Sequence, residues 1–142
     1  MIELKIVLDT NVLIAIIGRR SPYRWLFDYL IEGRIALCVT NEILLEYEEV
    51  LGRKANEEVA LNVVNFIETH PVTIKANIYF RFDLIAEDAD DNKFVDCLII
   101  ANADYLVSND AHFQALKQMN FPKVVVLTSN EFESRFGPKL GK

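Results

Sequence analysis

The sequence predicts an α/β fold in which helices cover a mainly parallel sheet. Short β-branched and aliphatic runs such as Lys5–Leu8 and Tyr105–Val107 are bounded by polar residues, as is typical of strands buried on both faces of a parallel sheet. These runs alternate with helical segments of about a dozen residues. The 142 residues, 51% of them hydrophobic, suffice for one compact domain with a substantial core. We therefore predict a single domain over residues 1–142.

The first half of the chain contains three predicted strands and three predicted helices. Lys5–Leu8 is the first strand, and a brief apolar segment, Val12–Ile17, follows it. Ser21 and Pro22 supply an N-cap and a proline at the first helical position, which predicts a helix from Pro22 to about Glu32. The remaining elements are a strand over Arg34–Val39, a helix from Thr40 to Gly52, a helix over Asn56–Glu68 and a short strand over Val72–Ile74.

The second half begins with a predicted loop, Lys75–Asp90, and an acidic cluster that precedes a helix. The elements predicted beyond it are a helix over Asn92–Ala103, a strand over Tyr105–Val107, a helix over Ala111–Met119, a strand over Val124–Leu127 and a helix over Asn130–Phe136. No internal repeat is visible. Crossovers in such a sheet are right-handed, and ligands bind at the carboxyl ends of its strands. The strand ends are therefore where we look for chemistry.

Composition excludes several classes of protein. Fifteen Lys and Arg against 21 Asp and Glu give a formal charge of −6, which disfavours a broad basic face for duplex DNA. No apolar run reaches the roughly 18–20 residues of a membrane span, and Met1–Lys5 lacks the basic leader of a signal peptide, so we expect a cytoplasmic protein. Cys38 and Cys97 lack CxxC spacing and predict buried reduced thiols. With two histidines besides, a nitrogen or sulfur metal site is not expected.

Four acidic residues are positioned to converge on one edge of the sheet. Asp9 closes the first strand, Asp110 closes a later one, Asp91 begins a helix and Glu46 lies in the helix after the second strand. In a dry pocket these carboxylates would repel each other unless a divalent cation lay between them. Oxygen ligands alone favour Mg²⁺ or Mn²⁺, and such sites typically perform phosphoryl chemistry. Phosphodiester hydrolysis is the expected reaction.

Four segments, taken together and in order, give a specific resemblance: Ile6–Leu13, Thr40–Glu46, Asp90–Phe94 and Ala103–Asp110. On these segments the chain resembles the PIN domain ribonucleases, in particular the VapC-type toxins of bacterial toxin–antitoxin pairs. The resemblance implies a Rossmann-like, three-layer sandwich with four or five parallel strands. It also implies Mg²⁺- or Mn²⁺-dependent cleavage of single-stranded RNA, frequent homodimerisation and inhibition by a small antitoxin protein.

The resemblance also assigns roles to individual residues. The family's catalytic, metal-binding acids fall on four positions of this chain: Asp9, Glu46, Asp91 and Asp110. Its polar supports, which orient neighbouring carboxylates by hydrogen bonds, fall on Asn11 and Ser108. Ser108 stands where the family usually has Thr, a change that keeps the hydroxyl group.

The third acidic position is ambiguous because several aspartates lie close together. Asp88 and Asp90 precede Asp91, and Asp96 follows it by five residues. Asp91 aligns best with the family. Asp96 is rotated by about 140° from Asp91 in a regular helix and would face elsewhere. Whether Asp90 or Asp96 replaces or assists Asp91 stays open.

Alternative functions belong to different classes. A phosphatase of the haloacid dehalogenase type also begins with an Asp at the end of the first strand, but it needs a second carboxylate where this chain has Asn11. An amide cannot donate the required proton. A phosphoacceptor receiver domain would need paired acids behind the first strand. A non-catalytic module that keeps the fold and binds only protein or RNA is the remaining alternative.

Other side chains have both a functional and a structural interpretation. The basic group Arg19, Arg20 and Arg24 could hold RNA phosphates or form a solvated loop. His112 is interpreted as a surface helix residue rather than a general base. Three aromatic residues could stack on bases, although burial in the core or in a dimer interface is the preferred interpretation: Tyr79, Phe80 and Phe82.

Overall fold

The described part of the computed structural model, residues 4–78, 92–114, 116 and 124–138, is built on a parallel sheet flanked by helices. Its strands are β1 (Leu4–Leu8), β2 (Ile35–Val39), β3 (Ile74–Lys75), β4 (Tyr105–Val107) and β5 (Val126–Leu127). The five strands lie in the order β3-β2-β1-β4-β5, and every neighbouring pair is parallel. The predicted α/β class with a Rossmann-like parallel sheet is confirmed.

Helices connect the strands of this sheet. They are α1 (Thr10–Ile17), α2 (Arg24–Ile31), α3 (Asn41–Lys54), α4 (Glu57–Thr69), α5 (Asn92–Ile100), α6 (Ala111–Gln114) and α7 (Ser129–Phe136). Side-chain caps fix three of the starts. Thr40 Oγ1 accepts a hydrogen bond from the Ile43 amide at the start of α3, Asn56 caps α4, and Thr128 forms a capping box at α7.

One element differs in kind from the prediction. The segment Val12–Ile17, left unassigned as a brief apolar run, belongs to helix α1, which begins at Thr10. Apolar residues occupy nearly every position of this helix, so the sequence lacks the polar face that marks an amphipathic helix. Val12, Leu13 and Ile16 are buried in the core. The periodicity rule fails here because apolar residues also occupy less buried positions of the helix: Ile14, Ala15 and Ile17.

Other differences concern boundaries. Helix α2 begins at Arg24 rather than Pro22 because Ser21 forms a turn, its carbonyl accepting from the Arg24 amide at 3.1 Å. Helix α5 ends at Ile100, before the predicted Ala103, and Asn102 adopts a left-handed φ of 53°. Asn tolerates this conformation at a helix end. Most of the predicted loop Lys75–Asp90 and the later part of the predicted helix Ala111–Met119 lie outside the described residues.

The core surrounds the central strand β1, whose residues Ile6, Val7 and Leu8 have no exposed surface. Helix α5 packs against β1, β2 and β4. Helix α3 places Tyr47 in this core, fully buried, where its hydroxyl donates to the Leu8 carbonyl at 2.6 Å. Burial raises the pKa of Tyr47, so the hydroxyl keeps its proton and remains a donor. This hydrogen bond fixes the strand immediately before Asp9.

Helix α7 packs beside helix α2 through aromatic contacts. The rings of Trp25 and Phe132 are stacked with centroids 6.0 Å apart, and Trp25 Nε1 donates to Glu133 Oε2 at 2.9 Å. Tyr23 donates a further hydrogen bond to Asn130. The last described helix is therefore joined to the N-terminal half of the chain.

The two thiols are free and buried, as predicted. Burial is the main cause that raises the pKa of Cys38 to about 11, and it raises the pKa of Cys97 as well. No helix in the described ranges combines the length and the hydropathy that crossing a bilayer requires.

The Tyr47 hydrogen bond yields a stability prediction. Tyr47→Phe removes the donor while keeping the ring, and it leaves a buried polar group with a lost partner. The free energy of unfolding is expected to fall by about 1–2 kcal/mol, measured by urea denaturation. Tyr29→Phe, at a half-buried tyrosine of helix α2, is the comparison and is expected to change it by less than about 0.5 kcal/mol. Equal losses in the two variants would contradict the role given to the Tyr47 hydroxyl.

Candidate functional site

The site begins where strands β1 and β4 end side by side. Leu8 pairs with Val107, and the Asp9 amide continues the ladder by donating to the Val107 carbonyl at 3.1 Å. Asp9 and Ser108 therefore leave the sheet next to each other, and Asp110 follows two residues later. Because the strands are parallel, residues 99 positions apart in the sequence meet at one edge.

Ser108 connects the two aspartates. Its hydroxyl donates to Asp9 Oδ2 at 2.9 Å and accepts from the Asp110 amide at 3.0 Å. Asp110 Oδ1 in turn accepts from the His112 amide at 2.9 Å, which caps the start of α6. Asp110 thus caps this short helix and takes part in the site at the same time. His112 is exposed on this short helix, as predicted.

Asp9 and Asp110 face a pocket of about 200 Å³. The other residues that line it are Asn11, Val12 and Asn109. Asn109 is held by the first turn of α7. Its Nδ2 donates to Ser129 Oγ at 3.1 Å, and its Oδ1 accepts from the Ser129 amide at 2.9 Å. We call this space the acidic pocket.

Asp9 is an electrostatically strained carboxylate. Only 7% of its surface is exposed, and this burial is the largest cause that raises its pKa. The hydrogen bond from Ser108 lowers the pKa, as does the nearby backbone amide of Asn11, whereas the negative charges of Asp110 and Glu46 raise it further. The pKa of Asp9 ends above its ordinary value. Its charged form lacks compensation that a cation in the acidic pocket would supply.

Glu46 lies close enough for its charge to act on Asp9, but its carboxylate is already engaged. Thr10 Oγ1, in the first turn of α1, donates to Oε2, and Lys93 Nζ, in the first turn of α5, lies 2.8 Å from Oε1. The Lys93 side chain is 13% exposed and that of Glu46 is 28% exposed. The site therefore includes Thr10 and Lys93, which the sequence did not single out.

The other acids that the sequence singled out fall into two groups: three lie outside the described residues, and one is buried away from the acidic pocket. Asp91 lies outside the described residues, so its place at the metal stays a prediction; the same holds for Asp88 and Asp90. Asp96 is 1% exposed on α5 and does not line the acidic pocket.

The polar and basic candidates have partners that the sequence did not predict. Asn11 lines the acidic pocket, and its amide oxygen accepts from Lys54 Nζ at 3.4 Å. The role of Asn11 in orienting a carboxylate, which the resemblance implies, stays a prediction. The Arg24 side chain is engaged by its own neighbours. Its Nε lies 3.0 Å from Asp28 Oδ1, and its Nη1 donates to the Ile17 carbonyl at 2.6 Å, at the end of α1. Three predicted aromatic candidates lie outside the described residues: Tyr79, Phe80 and Phe82.

The donor set of the acidic pocket fits a hard divalent cation. Among the described residues, no three His, Cys, Asp or Glu side chains are arranged to hold a metal ion. Two carboxylates, Asp9 and Asp110, do meet at the pocket, together with amide groups. Mg²⁺ is commonly held by one or two carboxylates, with water completing its shell. The pKa of Asp9 is raised mainly by burial, and also by the charges of Asp110 and Glu46, so the ionised carboxylate is poorly stabilised at the same place.

A larger groove of about 730 Å³ lies between α3 and α4 and is separate from this edge. Its lining contains no residue of the acidic pocket. Volume alone would point to this groove, but the converging carboxylates lie at the carboxyl ends of β1 and β4. We therefore assign the chemistry to the smaller pocket.

Three solved structures share the fold. VapBC2 from Rickettsia felis, bound to a DNA fragment from its promoter, is similar with a TM-score of 0.61 and 14% identity, covering 88% of this chain and 98% of that chain. DNA-bound VapBC from Salmonella typhimurium has a TM-score of 0.54 and 17% identity, covering 89% and 98%. FitAB bound to the IR36 DNA fragment has a TM-score of 0.52 and 16% identity, covering 87% and 94%. The TM-scores, all above 0.5, show a common fold, and at these low identities the likeness extends to the fold alone.

The sequence itself establishes the family. No curated protein matches the chain at a significant level. The family model described as PIN domain matches residues 5–112, a range that begins in β1 and includes Asp9, Glu46, Ser108 and Asp110. The matched range thus contains both strands that form the acidic pocket. The chain belongs to the PIN domain family.

Proposed function

We propose that this protein is a metal-dependent endoribonuclease that cleaves single-stranded RNA and acts as the toxin of a toxin–antitoxin pair. The observation that carries the proposal is the acidic pocket, where the buried Asp9 and the half-buried Asp110 meet through Ser108. A pocket with converging carboxylates and little compensating charge suits a cation-dependent phosphodiester hydrolase. Membership in the PIN domain family supports the same reaction class.

Asp9 and Asp110 are the residues that would hold Mg²⁺ or Mn²⁺, and Glu46 and Asp91 are proposed as the other acids of the site. When bound, such a cation lowers the pKa of a water molecule and stabilises negative charge on a phosphoryl oxygen. Ser108 orients the Asp9 carboxylate through its 2.9 Å hydrogen bond, and Asn109 shapes the opposite side of the pocket. The chain's own contribution is to fix these oxygens before the substrate arrives.

The substrate class follows from the family resemblance and from charge. The formal charge of −6 disfavours wide electrostatic contact with a duplex, so the negative backbone must be bound locally. A single strand can present one phosphodiester to a small pocket without a broad basic surface. We therefore propose single-stranded RNA as the substrate. Arg19 and Arg20 are the basic residues proposed to contact its phosphates.

A partner protein is proposed from the similar structures. VapBC2, VapBC and FitAB, which share the fold of this chain, are each bound to DNA in their structures. The resemblance to VapC-type toxins implies that this chain binds a small antitoxin protein and forms a homodimer. Coexpression with the product of an adjacent small reading frame is expected to give a stable complex in size-exclusion chromatography with scattering detection, and to suppress RNA cleavage. If the chain elutes as a monomer and does not bind the coexpressed product, this assignment is contradicted.

Substitution at Asp9 tests the nuclease directly. Asp9→Asn keeps an oxygen that can accept from Ser108 but removes the charge. Cleavage of a set of labelled single-stranded RNAs with Mn²⁺ is expected to fall by about 100-fold or more. In EDTA the variant is expected to unfold at the same or a higher temperature than the wild type, because burial and the charges of Asp110 and Glu46 disfavour ionised Asp9.

The same pair of proteins separates the alternatives. Equal cleavage by the wild type and Asp9→Asn would identify a contaminating nuclease and would favour the non-catalytic module. An Asp9→Asn protein that failed to fold would contradict the view that this carboxylate serves function at a cost in stability. Circular dichroism of both proteins in EDTA provides the folding control.

Metal binding by the folded protein can be measured without RNA. Mn²⁺ or Mg²⁺ is expected to raise the melting temperature of the wild type, because only the folded chain gathers the carboxylates. The stabilisation is about 2–3 kcal/mol when the free cation is near 100 times its Kd. The shift is expected to be much smaller for Asp9→Asn. No shift of the wild type at millimolar cation would contradict the proposed site.

A further inference from the structure

We propose that Lys93 is a positioning residue that neutralises Glu46 and thereby weakens the attraction of the acidic pocket for its divalent cation. This inference rests on the proposed function, since it concerns the cation of the same site. The family resemblance assigns no role to Lys93. Its role follows from the contacts of Glu46, from the charges of the described site and from the burial of the Lys93 side chain.

Contacts from two helices engage the Glu46 carboxylate. Lys93 Nζ lies 2.8 Å from Oε1, and the Thr10 hydroxyl donates to Oε2. Helix α1 and helix α5 thus each provide a donor, while Glu46 itself belongs to α3. A carboxylate with a partner on each oxygen is fixed in orientation, so Glu46 faces Lys93 and Thr10 and does not line the acidic pocket.

Burial makes this pair more than a surface ion pair. The Lys93 side chain is 13% exposed, compared with 47% for Lys75, which pairs with Glu68 at 3.6 Å elsewhere on the protein. The Lys93 ammonium also lies 5.6 Å from the centroid of the Phe94 ring. Screening by water is weaker for the shorter, less exposed pair, so its charge acts on the site more strongly.

Lys93 lowers the negative charge beside the acidic pocket. Among the described residues, Asp9, Glu46 and Asp110 carry negative charges when ionised, and the Lys93 ammonium contacts one of the three. Glu46 lies close enough for its charge to act on Asp9, so pairing it with Lys93 weakens the attraction of the pocket for a divalent cation. Without Lys93, the charge of Glu46 loses this compensation.

The test compares Mn²⁺ binding by four proteins in the absence of RNA. Lys93→Met keeps most of the alkyl chain and removes the charge, and Lys93→Arg keeps the charge. Lys75→Met is the matched control, because it removes the same charge from a Lys–Glu pair outside the site. Free Mn²⁺ is measured by electron paramagnetic resonance during titration, which gives stoichiometry and affinity directly.

The expected results differ among the variants. The wild type, Lys93→Arg and Lys75→Met are expected to bind one Mn²⁺ per chain with similar affinity. Lys93→Met is expected to bind Mn²⁺ about tenfold more tightly, because the charge of Glu46 beside the site is then uncompensated. A Lys93→Met titration that superimposes on that of the wild type would overturn the proposal.

A double variant shows whether Lys93 acts through Glu46. In Glu46→Gln/Lys93→Met both charges are removed, so the Mn²⁺ affinity is expected to return to that of the wild type. This variant also serves if Lys93→Met alone does not fold. Mn²⁺ binding about tenfold tighter than wild type in the double variant would overturn the assigned mechanism. If the wild type binds no Mn²⁺, the proposed function fails; if it binds one and Lys93→Met behaves alike, only this inference fails.

Discussion

The site depends on holding like charges together at the carboxyl edge of a parallel sheet. Asp9 is buried at the end of the central strand, and the charges of Asp110 and Glu46 act against its ionisation. The hydrophobic core around β1 supplies the stability that tolerates this arrangement, and Tyr47 secures the last carbonyl of the strand. The packing of the sheet thus outweighs the unfavourable electrostatics of the site. Such a balance is common where function requires like charges to be held together.

This arrangement forms only with the tertiary structure. The hydrogen bond from Ser108 to Asp9 joins residues 99 positions apart, and the pairing of Thr10 with Glu46 spans 36 positions. Neither contact can exist in an isolated segment, because each requires that β1, β4 and α3 have already packed. Local opening of the sheet between β1 and β4 would therefore disperse the acids. A ligand that binds only this folded arrangement would stabilise the whole fold by mass action.

The sequence predicted the parts of this structure that obey local rules. Buried parallel strands are apolar runs that end at polar residues, so β1 and β4 and the positions of Asp9 and Asp110 followed directly. Helix α1 was not predicted because nearly all of its residues are apolar, so its sequence shows no amphipathic pattern. The contacts of Lys93 with Glu46 and of Arg24 with Asp28 and Ile17 were missed because side-chain partners across helices are set by packing. Asp91, which the family resemblance implies, remains a prediction.

The two hydrogen bonds between Asn109 and Ser129 connect the acidic pocket to helix α7. Asn109 forms one wall of the acidic pocket, and Ser129 opens helix α7, which packs on Trp25 of helix α2. Displacement of this C-terminal helix would therefore move the wall and alter the spacing available to a ligand. A macromolecule that binds the outer surface of α7 would therefore change the shape of the acidic pocket without entering it.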